Sequence, residues 1–302
     1  MGNSTLPKDS TAQGECTQKP GMSAVEGKVH PTDRLVKAVL KSSKYRHVCA
    51  PLIRHIGAHE LEVRRNLKAA VKATKGKLHQ VGGAYFETPI DYERAWRELQ
   101  ESAATDSEAL RRVCQSLMAL HVSTKERLPI LETFYTTTLA DIGPIHTVLD
   151  LACGLNPLAI PWMPLDAPVT YYAYDIYTDM MAFLHKALPL LGVTGQADPR
   201  NIMQTDALSA QKVDLALLLK AIPCLEHVDV GYPTDRPIGL RLLEAVNAKY
   251  ILVSFPVHSI GGIDKGMTET YSARFLASVA GKPWEIQRLE FSTELAFLVQ
   301  KA

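Results

Sequence analysis

Hydrophobic residues follow two different periodicities in the two halves of the chain. Before about residue 140 they recur at the spacing of amphipathic helices, as at Leu110, Val113 and Leu117. After that point, short runs rich in β-branched and aromatic residues alternate with helical segments. Such alternation is typical of a mainly parallel sheet covered by helices. The pattern therefore predicts an α/β fold preceded by a helical region.

The individual elements follow from the same pattern. Strands are predicted at 148–151, 169–175, 201–206, 213–220 and 250–257, and a closing antiparallel hairpin at 284–291 and 295–300. Helices are predicted at 92–101, 106–121, 236–246 and 268–280, with another that starts near Arg127 and leads into the first strand. The segments 76–89, 221–226 and 259–266 are predicted to be loops.

These elements suggest three regions. Residues 1–27 are rich in Ser, Thr, Gln and Gly and lack an apolar signal-peptide core, so we expect a disordered extension. Residues 28–140 form the predicted helical domain. Residues 141–302 form the predicted α/β domain.

The first predicted strand ends in a turn of small residues, Ala152, Cys153 and Gly154. Ligands of open α/β sheets lie beyond the carboxyl ends of the strands, where the first turn must let the backbone approach closely. Gly154 allows such an approach because it has no Cβ atom. The turn contains one glycine, whereas a full dinucleotide fingerprint has three, so a purely structural turn remains an alternative.

An acidic residue stands at the end of each of the first three predicted strands. They are Asp150, Asp175 and Asp206. Asp175 follows Asp150 by 25 residues, close to the spacing of about 20 at which an acid meets a ribose in such folds. Asp206 alone could be a helix cap. The series favours a nucleotide-like cofactor, with Asp175 as the candidate for its ribose hydroxyls.

Positive charge is concentrated near the start of the chain. The formal net charge is only +1, yet residues 31–80 contain twelve Arg or Lys against three Asp or Glu, an excess of nine positive charges. Arg64, Lys68, Lys72 and Lys75 are spaced to form one stripe on a single predicted helix. Such a stripe can contact successive phosphates of RNA. An ordinary solvated helix face is the alternative.

Four motifs together resemble the aminoglycoside-resistance 16S ribosomal RNA methyltransferases, which modify N7 of a decoding-site guanine. They are HVSTKERLP at 121–129, LACGLNPL at 151–158 with PWM at 161–163, LLLKAIPCLE at 217–226, and KGM at 265–267. The resemblance covers about residues 30–302. It implies a class I, Rossmann-like methyltransferase fold with a seven-stranded sheet, S-adenosyl-L-methionine (SAM) as methyl donor, and 16S rRNA within the 30S subunit as substrate.

The resemblance also implies roles for individual residues. The cofactor-binding residues would be Arg127 for the methionine carboxylate, Asp150, Ala152 and Gly154 at the turn, Asp175 and Ile176 at the ribose, and Asp206 and Ala207 at the adenine. Lys220, Glu226 and Lys265 would guide the guanine. Without the family, Arg127 would be interpreted as a solvated charge and Lys220 could be a buried structural ion. The chain departs from its relatives at Lys125 and at 262–265, where they tend to carry arginine.

The remaining features concern the expected cellular compartment and oligomeric state. The five cysteines show no CxxC spacing, which suits a reduced cytosolic protein without disulfides or a metal site. No apolar run approaches 18 residues, so no membrane span is expected. We expect a cytoplasmic monomer. A methyltransferase for another RNA or a small molecule, and a catalytically inactive ribosome-binding protein, remain alternative functions.

Overall fold

The computed structural model describes residue 1 and residues 30–86, 88–208, 210–229, 236–257 and 266–301. The expected extension at 1–27, apart from Met1, and the Lys265 prediction lie outside these residues. Within them, every helix is too short or too polar to cross a membrane. The same ranges contain no group of three His, Cys, Asp or Glu side chains arranged to hold a metal ion.

The helical region contains seven helices within the described residues. They are α1 (Pro31–Leu40), α2 (Ala50–Val63), α3 (Leu67–Leu78), α4 (Tyr92–Ala103), α5 (Ser107–Met118), α6 (Val122–Arg127) and α7 (Leu131–Thr138). Asn or Asp side chains cap three of them: Asn66, Asp91 and Asp106 each accept a hydrogen bond from a backbone N–H three residues later. A π-helical turn, His79–Gly83, continues α3 directly.

The sheet confirms the predicted fold class. Its strands are β1 (Thr147–Leu151), β2 (Thr170–Asp175), β3 (Thr194–Pro199), β4 (Val213–Leu219), β5 (Ala248–Pro256), β6 (Trp284–Glu290) and β7 (Glu294–Lys301), in the order β3-β2-β1-β4-β5-β7-β6. All pairs are parallel except those that β7 forms with β5 and β6. The strand order reverses between β1 and β4, where α/β sheets open a ligand crevice.

Helices cover both faces of this sheet. The remaining helices are α8 (Thr178–Ala187), α9 (Ile222–Val228), α10 (Ile238–Ala245) and α11 (Met267–Val279). Buried residues of α1–α3 share one apolar core with α9–α11, as Ile53 does with Leu218 of β4. Those of α4, α5, α7 and α8 share the opposite core, as Phe134 does with Leu217. Because the early helices share their cores with the sheet, the division at residue 140 into two domains stays a prediction.

The third strand lies earlier in the chain than predicted. It is Thr194–Pro199, whereas 201–206, the predicted strand, forms turns and a single 3-10 turn. Gly195 explains the pairing, because a Cβ atom there would lie 2.0 Å from the Tyr171 carbonyl oxygen of β2. The Asn201 side chain accepts the Met203 N–H and starts the turn. Asp206 is consequently exposed and does not end a strand.

The predicted basic stripe is broken between its first and second residues. α2 ends at Val63, and Arg64 follows in extended conformation (φ −106°, ψ 138°), with its guanidinium on Glu60. Asn66 then caps a new helix, α3, which carries Lys68, Lys72 and Lys75. Asn66 favours the start of a new helix, and this preference prevails over the helical spacing of the basic residues on either side of it. Arg64 therefore does not lie on the same helix as the three lysines.

Three boundaries also differ from the predictions. Arg127 ends α6, rather than preceding a helix, and Pro129 lies in a 3-10 turn before α7. The predicted loop 221–226 largely belongs to α9, with Pro223 in its first turn, where the missing N–H of proline carries no penalty. The predicted loop at 76–89 begins later, because α3 and its π-helical turn continue through Gly83.

Candidate cofactor and RNA sites

The turn after β1 has a conformation that only small residues adopt with ease. Ala152 and Gly154 both have φ of 52°, in the left-handed region. The Gly154 N–H donates to Asp175 Oδ2 at 2.9 Å, and the Ile176 N–H donates to Oδ1 of the same carboxylate at 2.6 Å. A Cβ atom on Gly154 would lie 2.7 Å from the His121 ring. Asp175 thus ties the ends of β1 and β2 together at the crevice.

A cavity with about 700 Å³ of empty space lies beside this turn. Ala152, Asp175, Ile176 and Lys220, four of the predicted site residues, line it. Its other lining residues include apolar side chains from the ends of β4 and α9 and from the segment after β3: Leu219, Leu225 and Ile202. The cavity combines one buried carboxylate with apolar walls, as small-molecule sites usually do.

An aromatic group packs against the turn at the wall of the same cavity. The His121 ring stacks on Tyr85 at a centroid distance of 5.5 Å and meets Phe86 edge-on at 4.9 Å. Burial lowers the His121 pKa to about 3, and the charges of Arg127 and Lys220 add to the effect, so the ring is neutral at physiological pH. His121 Nδ1 is buried and has no hydrogen-bond partner among the described residues. Such an atom beside a cavity suits a polar ligand group.

A buried charge network surrounds Glu294, the first residue of β7. Arg127 donates to its carboxylate through Nε at 3.1 Å and Nη2 at 2.7 Å, and Lys220 Nζ lies 3.3 Å from it. Ser254 donates a further hydrogen bond at 2.5 Å. Burial disfavours the ionised carboxylate, but the two positive charges outweigh it and hold the Glu294 pKa below its usual value. The network joins α6 to β4, β5 and β7.

Asp150 belongs to a neighbouring branch of this network. Its Oδ2 accepts from Asn156 Nδ2 at 2.9 Å and from the Tyr171 hydroxyl at 2.7 Å, and Oδ1 of the Asn156 side chain in turn accepts from Arg127 at 2.8 Å. Burial raises the pKa of Asp150 to about 7. The side chain therefore supports the turn from beneath. Its Oδ1 has no partner within the described chain.

A second, larger cavity adjoins the first at Lys220. It contains about 1200 Å³ of empty space and shares Tyr85, Lys220 and Cys224 with the first cavity. Lys220 has φ of 56°, an uncommon conformation for a residue with a side chain, and its ammonium lies 2.9 Å from Glu126 Oε2. Glu126 also lines the second cavity. The two cavities thus meet at an ion pair.

Several predicted site residues are not gathered around the first cavity. Arg127 is fully buried and lines neither cavity, and Glu226 pairs with Arg274 at 3.0 Å beside a third cavity between α9 and α11. Asp206 is exposed on its 3-10 turn, which also contains Ala207. The proposed roles of these residues stay predictions.

Other residues at these cavities were not predicted from sequence. Glu126 and His121 lie within the recognised motif at 121–129, so the motif itself was the available signal. Tyr85 follows the glycine pair of the π-helical turn. Glu294 had no local signal, because its partner Arg127 lies 167 residues away.

Comparison with known proteins identifies the family. A family model described as ribosomal RNA methyltransferase (FmrO) matches residues 41–298. The chain belongs to this family. The resemblance inferred from the four motifs is thereby confirmed.

Relatives of the FmrO family match most of the chain. A 16S rRNA (guanine(1405)-N(7))-methyltransferase of Micromonospora echinospora is 37% identical over 272 residues, which cover 89% of this chain and 96% of the relative. An enzyme of the same name from Serratia marcescens is 33% identical, over 87% of this chain and 96% of its own.

Solved structures of similar proteins share the fold. The 16S rRNA methyltransferase RmtF, crystallised with S-adenosyl-L-homocysteine, is 26% identical, with a TM-score of 0.73 over 91% of this chain and 100% of its own. The 16S rRNA methylase RmtB is 29% identical, with a TM-score of 0.70 over 90% of this chain and 98% of its own.

Proposed function

We propose that this chain transfers a methyl group from SAM to N7 of a guanine in the decoding site of 16S rRNA and thereby confers aminoglycoside resistance. The observation that carries the proposal is the crevice after β1 and β2, where Asp175 joins a left-handed turn beside a cavity. Membership of the FmrO family and the names of its relatives supply the reaction and the substrate.

The residues of the first cavity fit SAM. The Asp175 carboxylate is placed at the end of β2, where such folds bind a ribose, and Ile176 follows it. The left-handed turn at Ala152 and Gly154 presents backbone without side-chain bulk. The apolar walls suit an adenine ring, and Asp206 and Ala207 remain our proposed contacts to its edge. When bound, SAM supplies an electrophilic methyl group on sulfur.

The network around Glu294 limits the number of N–H groups with which Arg127 could bind a ligand. Three of its five N–H donors are committed to Glu294 and Asn156. We retain Arg127 as the proposed partner of the methionine carboxylate, which its two other N–H donors could bind. Its buried ion pair holds the guanidinium in one orientation.

The second cavity supports the placement of the guanine. A methyl donor in the first cavity and a base in the second would meet at Lys220 and Tyr85, two of the three residues that both cavities share. Lys220 could donate to the guanine O6, and Glu126 could accept from the N1–H and N2–H groups beside O6 on the Watson–Crick edge. Glu226 and Lys265 remain proposed guides for the base.

The reaction needs little chemistry from the protein itself. N7 of guanine carries a free lone pair at neutral pH, so it can form the bond to the methyl carbon while the carbon–sulfur bond breaks and its electron pair stays on sulfur. No general base is required. Extracting the base from its stack costs a few kcal/mol. Alignment of the reacting atoms can lower the barrier by about 7–11 kcal/mol.

The proposed partner is the assembled 30S subunit, bound by a cytoplasmic monomer. The target is a shaped RNA surface rather than a short sequence, which favours recognition of the folded subunit. Residues 31–80 carry the excess of positive charge, and α3 exposes Lys68 and Lys72. These side chains can contact phosphates without reading sequence.

Reversing the charge of Lys68 and Lys72 to Glu should weaken binding to 30S subunits and reduce its salt dependence. Each lost phosphate contact is expected to lower the slope of log K against log salt by about 0.7–0.9. Binding titrations at several salt concentrations would measure the change. The matched control is Arg97→Glu with Lys186→Glu, two exposed cations on α4 and α8 of the opposite face. If both double variants weaken 30S binding equally, α3 is not part of the RNA interface.

The function is tested by transfer of radiolabelled methyl from SAM to purified 30S subunits. Cleavage at N7-methylated guanine followed by primer extension then locates the product. A single stop at a decoding-site guanine would establish the donor, the substrate and the atom together. Labelling at another nucleotide would confirm that the chain is a methyltransferase and would show that the decoding-site guanine is not its target. If SAM binds without labelling the subunit, a small-molecule substrate becomes the better hypothesis.

A further inference from the structure

The N-terminal helical region contributes a wall to the first cavity. Leu52 of α2 and Val81 and Gly82 of the π-helical turn line it, facing the residues that follow β1 and β2. This region was predicted from its charge to bind RNA. Its position gives it contact with the cofactor cavity as well.

Gly82 packs directly against the turn that follows β2. A Cβ atom added to Gly82 would lie 2.8 Å from Ile176 Cδ1 and 2.8 Å from the Tyr177 hydroxyl oxygen. Gly82 is buried and lies in a π-helical turn, an irregularity that often occurs at functional sites. A side chain at this position would have to displace the ends of these two side chains, both of which line the cavity.

The segment between α1 and α2 holds the same turn from another direction. The Cys49 N–H donates to the Ile176 carbonyl at 2.8 Å, and the Thr178 N–H donates to the His47 carbonyl at 2.8 Å. Val48 forms an isolated antiparallel bridge with Tyr177 between these two bonds. The turn is therefore connected to the N-terminal region through its backbone and through its side chains.

We propose that Gly82 and the Cys49 backbone are positioning groups that set the Asp175–Tyr177 turn for SAM, so that the basic N-terminal region is a structural part of the cofactor site. The inference rests on the proposed function, because it takes SAM as the ligand of the first cavity. Asp175 accepts the Ile176 N–H at 2.6 Å, and the Ile176 carbonyl accepts the Cys49 N–H at 2.8 Å, so both bonds act on the backbone of Ile176. Gly82 acts on the Ile176 and Tyr177 side chains, which line the cavity.

The test compares two glycine substitutions in one continuous helical segment. Gly82→Ala should raise the calorimetric Kd for SAM and the KM for SAM about tenfold, since one added methyl group must displace Ile176 and Tyr177. The kcat and the affinity for 30S subunits should stay within about twofold. Gly76→Ala, whose Cβ atom would meet nothing within 4 Å, should leave every parameter unchanged.

Rescue separates positioning from general packing. Adding Ile176→Val to Gly82→Ala removes Cδ1, one of the two atoms that lie 2.8 Å from the new methyl group, and should restore part of the SAM affinity relative to Ile176→Val alone. A loss of thermal stability without a change in the Kd for SAM would show that Gly82 is needed only for packing. That result would overturn the proposal.

A second pair of variants tests the backbone contact independently. Cys49 has φ of −61°, which proline adopts, so Cys49→Pro keeps the local φ, removes the N–H donor and places the ring Cδ atom against the Ile176 carbonyl oxygen, which breaks the contact. Cys49→Pro should weaken SAM binding, whereas Cys49→Ala, which removes the thiol but keeps the N–H, should not. If the two variants of each pair bind SAM equally well and the wild type binds it tightly, this inference is refuted and the proposed function is not. Absence of SAM binding in the wild type would refute the proposed function.

Discussion

Replacing Glu294 with glutamine should lower the free energy of unfolding by about 3–5 kcal/mol. The carboxylate is fully buried between Arg127 and Lys220 and also accepts a bond from Ser254. Its loss leaves the positive charges of Arg127 and Lys220 buried. Among the described residues, Lys220 keeps an ion pair with Glu126. Removing one member of a buried ion pair destabilises the fold by more than the pair stabilises it, because the remaining charge stays buried without a partner and without water. Denaturant unfolding of the cofactor-free protein would measure the change.

Glu108→Gln provides the matched control for Glu294. Glu108 forms an exposed ion pair with Arg112 one helical turn away, at 3.5 Å. Its replacement should change the unfolding free energy by no more than about 0.5 kcal/mol, because exposed pairs contribute little. If Glu294→Gln behaves like Glu108→Gln, the buried network does not stabilise the fold in the way we describe.

Asp175→Ala should lower the affinity for SAM by roughly 10²–10⁴-fold. Two hydrogen bonds from ribose hydroxyls to a buried carboxylate, at about 1.5–3 kcal/mol each, account for this range. The same substitution leaves the Gly154 and Ile176 N–H groups without their acceptor, so the turn itself should loosen. Calorimetry with SAM measures the effect, and binding to 30S subunits should persist.

Asp198→Ala is the control for Asp175. Asp198 lies on the adjacent strand β3, half-exposed, with its carboxylate 3.7 Å from Arg200. It does not line the first cavity, so SAM affinity should be retained. Unchanged SAM affinity in Asp175→Ala would show that our ribose assignment is wrong. Loss of 30S binding as well would indicate that the variant had unfolded.

The structure changes how a small-molecule substrate should be tested. From the sequence, a methyltransferase for a small molecule would not need its basic N-terminal region. Residues 47–49 and Gly82, however, contact the turn that carries Asp175. Deleting the region is therefore expected to abolish SAM binding whatever the substrate is. Charge reversal at Lys68 and Lys72 distinguishes the two hypotheses, because it leaves these contacts in place.

Local patterns predicted most of the sheet and the position of the site. Buried runs such as 215–219 of β4 are apolar on both faces, as central parallel strands require. Prediction failed at β3, which is short, at the edge of the sheet and poor in large apolar residues. Its place is determined by pairing with β2 and by the close approach at Gly195.

The candidate site shows the same division. Small residues at 152–154 and the acid at the end of β2 are local features, so the sequence indicated the crevice. The partners of Arg127 and Lys220 are not local. Glu294 approaches them only when β7 inserts beside β5, and Glu126 only when α6 packs over the end of β4. A charge that looks solvated in sequence can be neutralised and buried in this way.

By itself, the sequence determined the helical first part and the alternating second part of the chain, the small turn that opens the crevice and the family to which the chain belongs. Each depends on residues near one another in the chain, where periodicity, turn chemistry and motif spacing act. Only the tertiary structure determined that Asn66 divides the basic stripe from Arg64, that Arg127 is buried against Glu294, and that the N-terminal region contributes a wall to the first cavity. These depend on packing and charge pairing between distant segments, which no local pattern encodes.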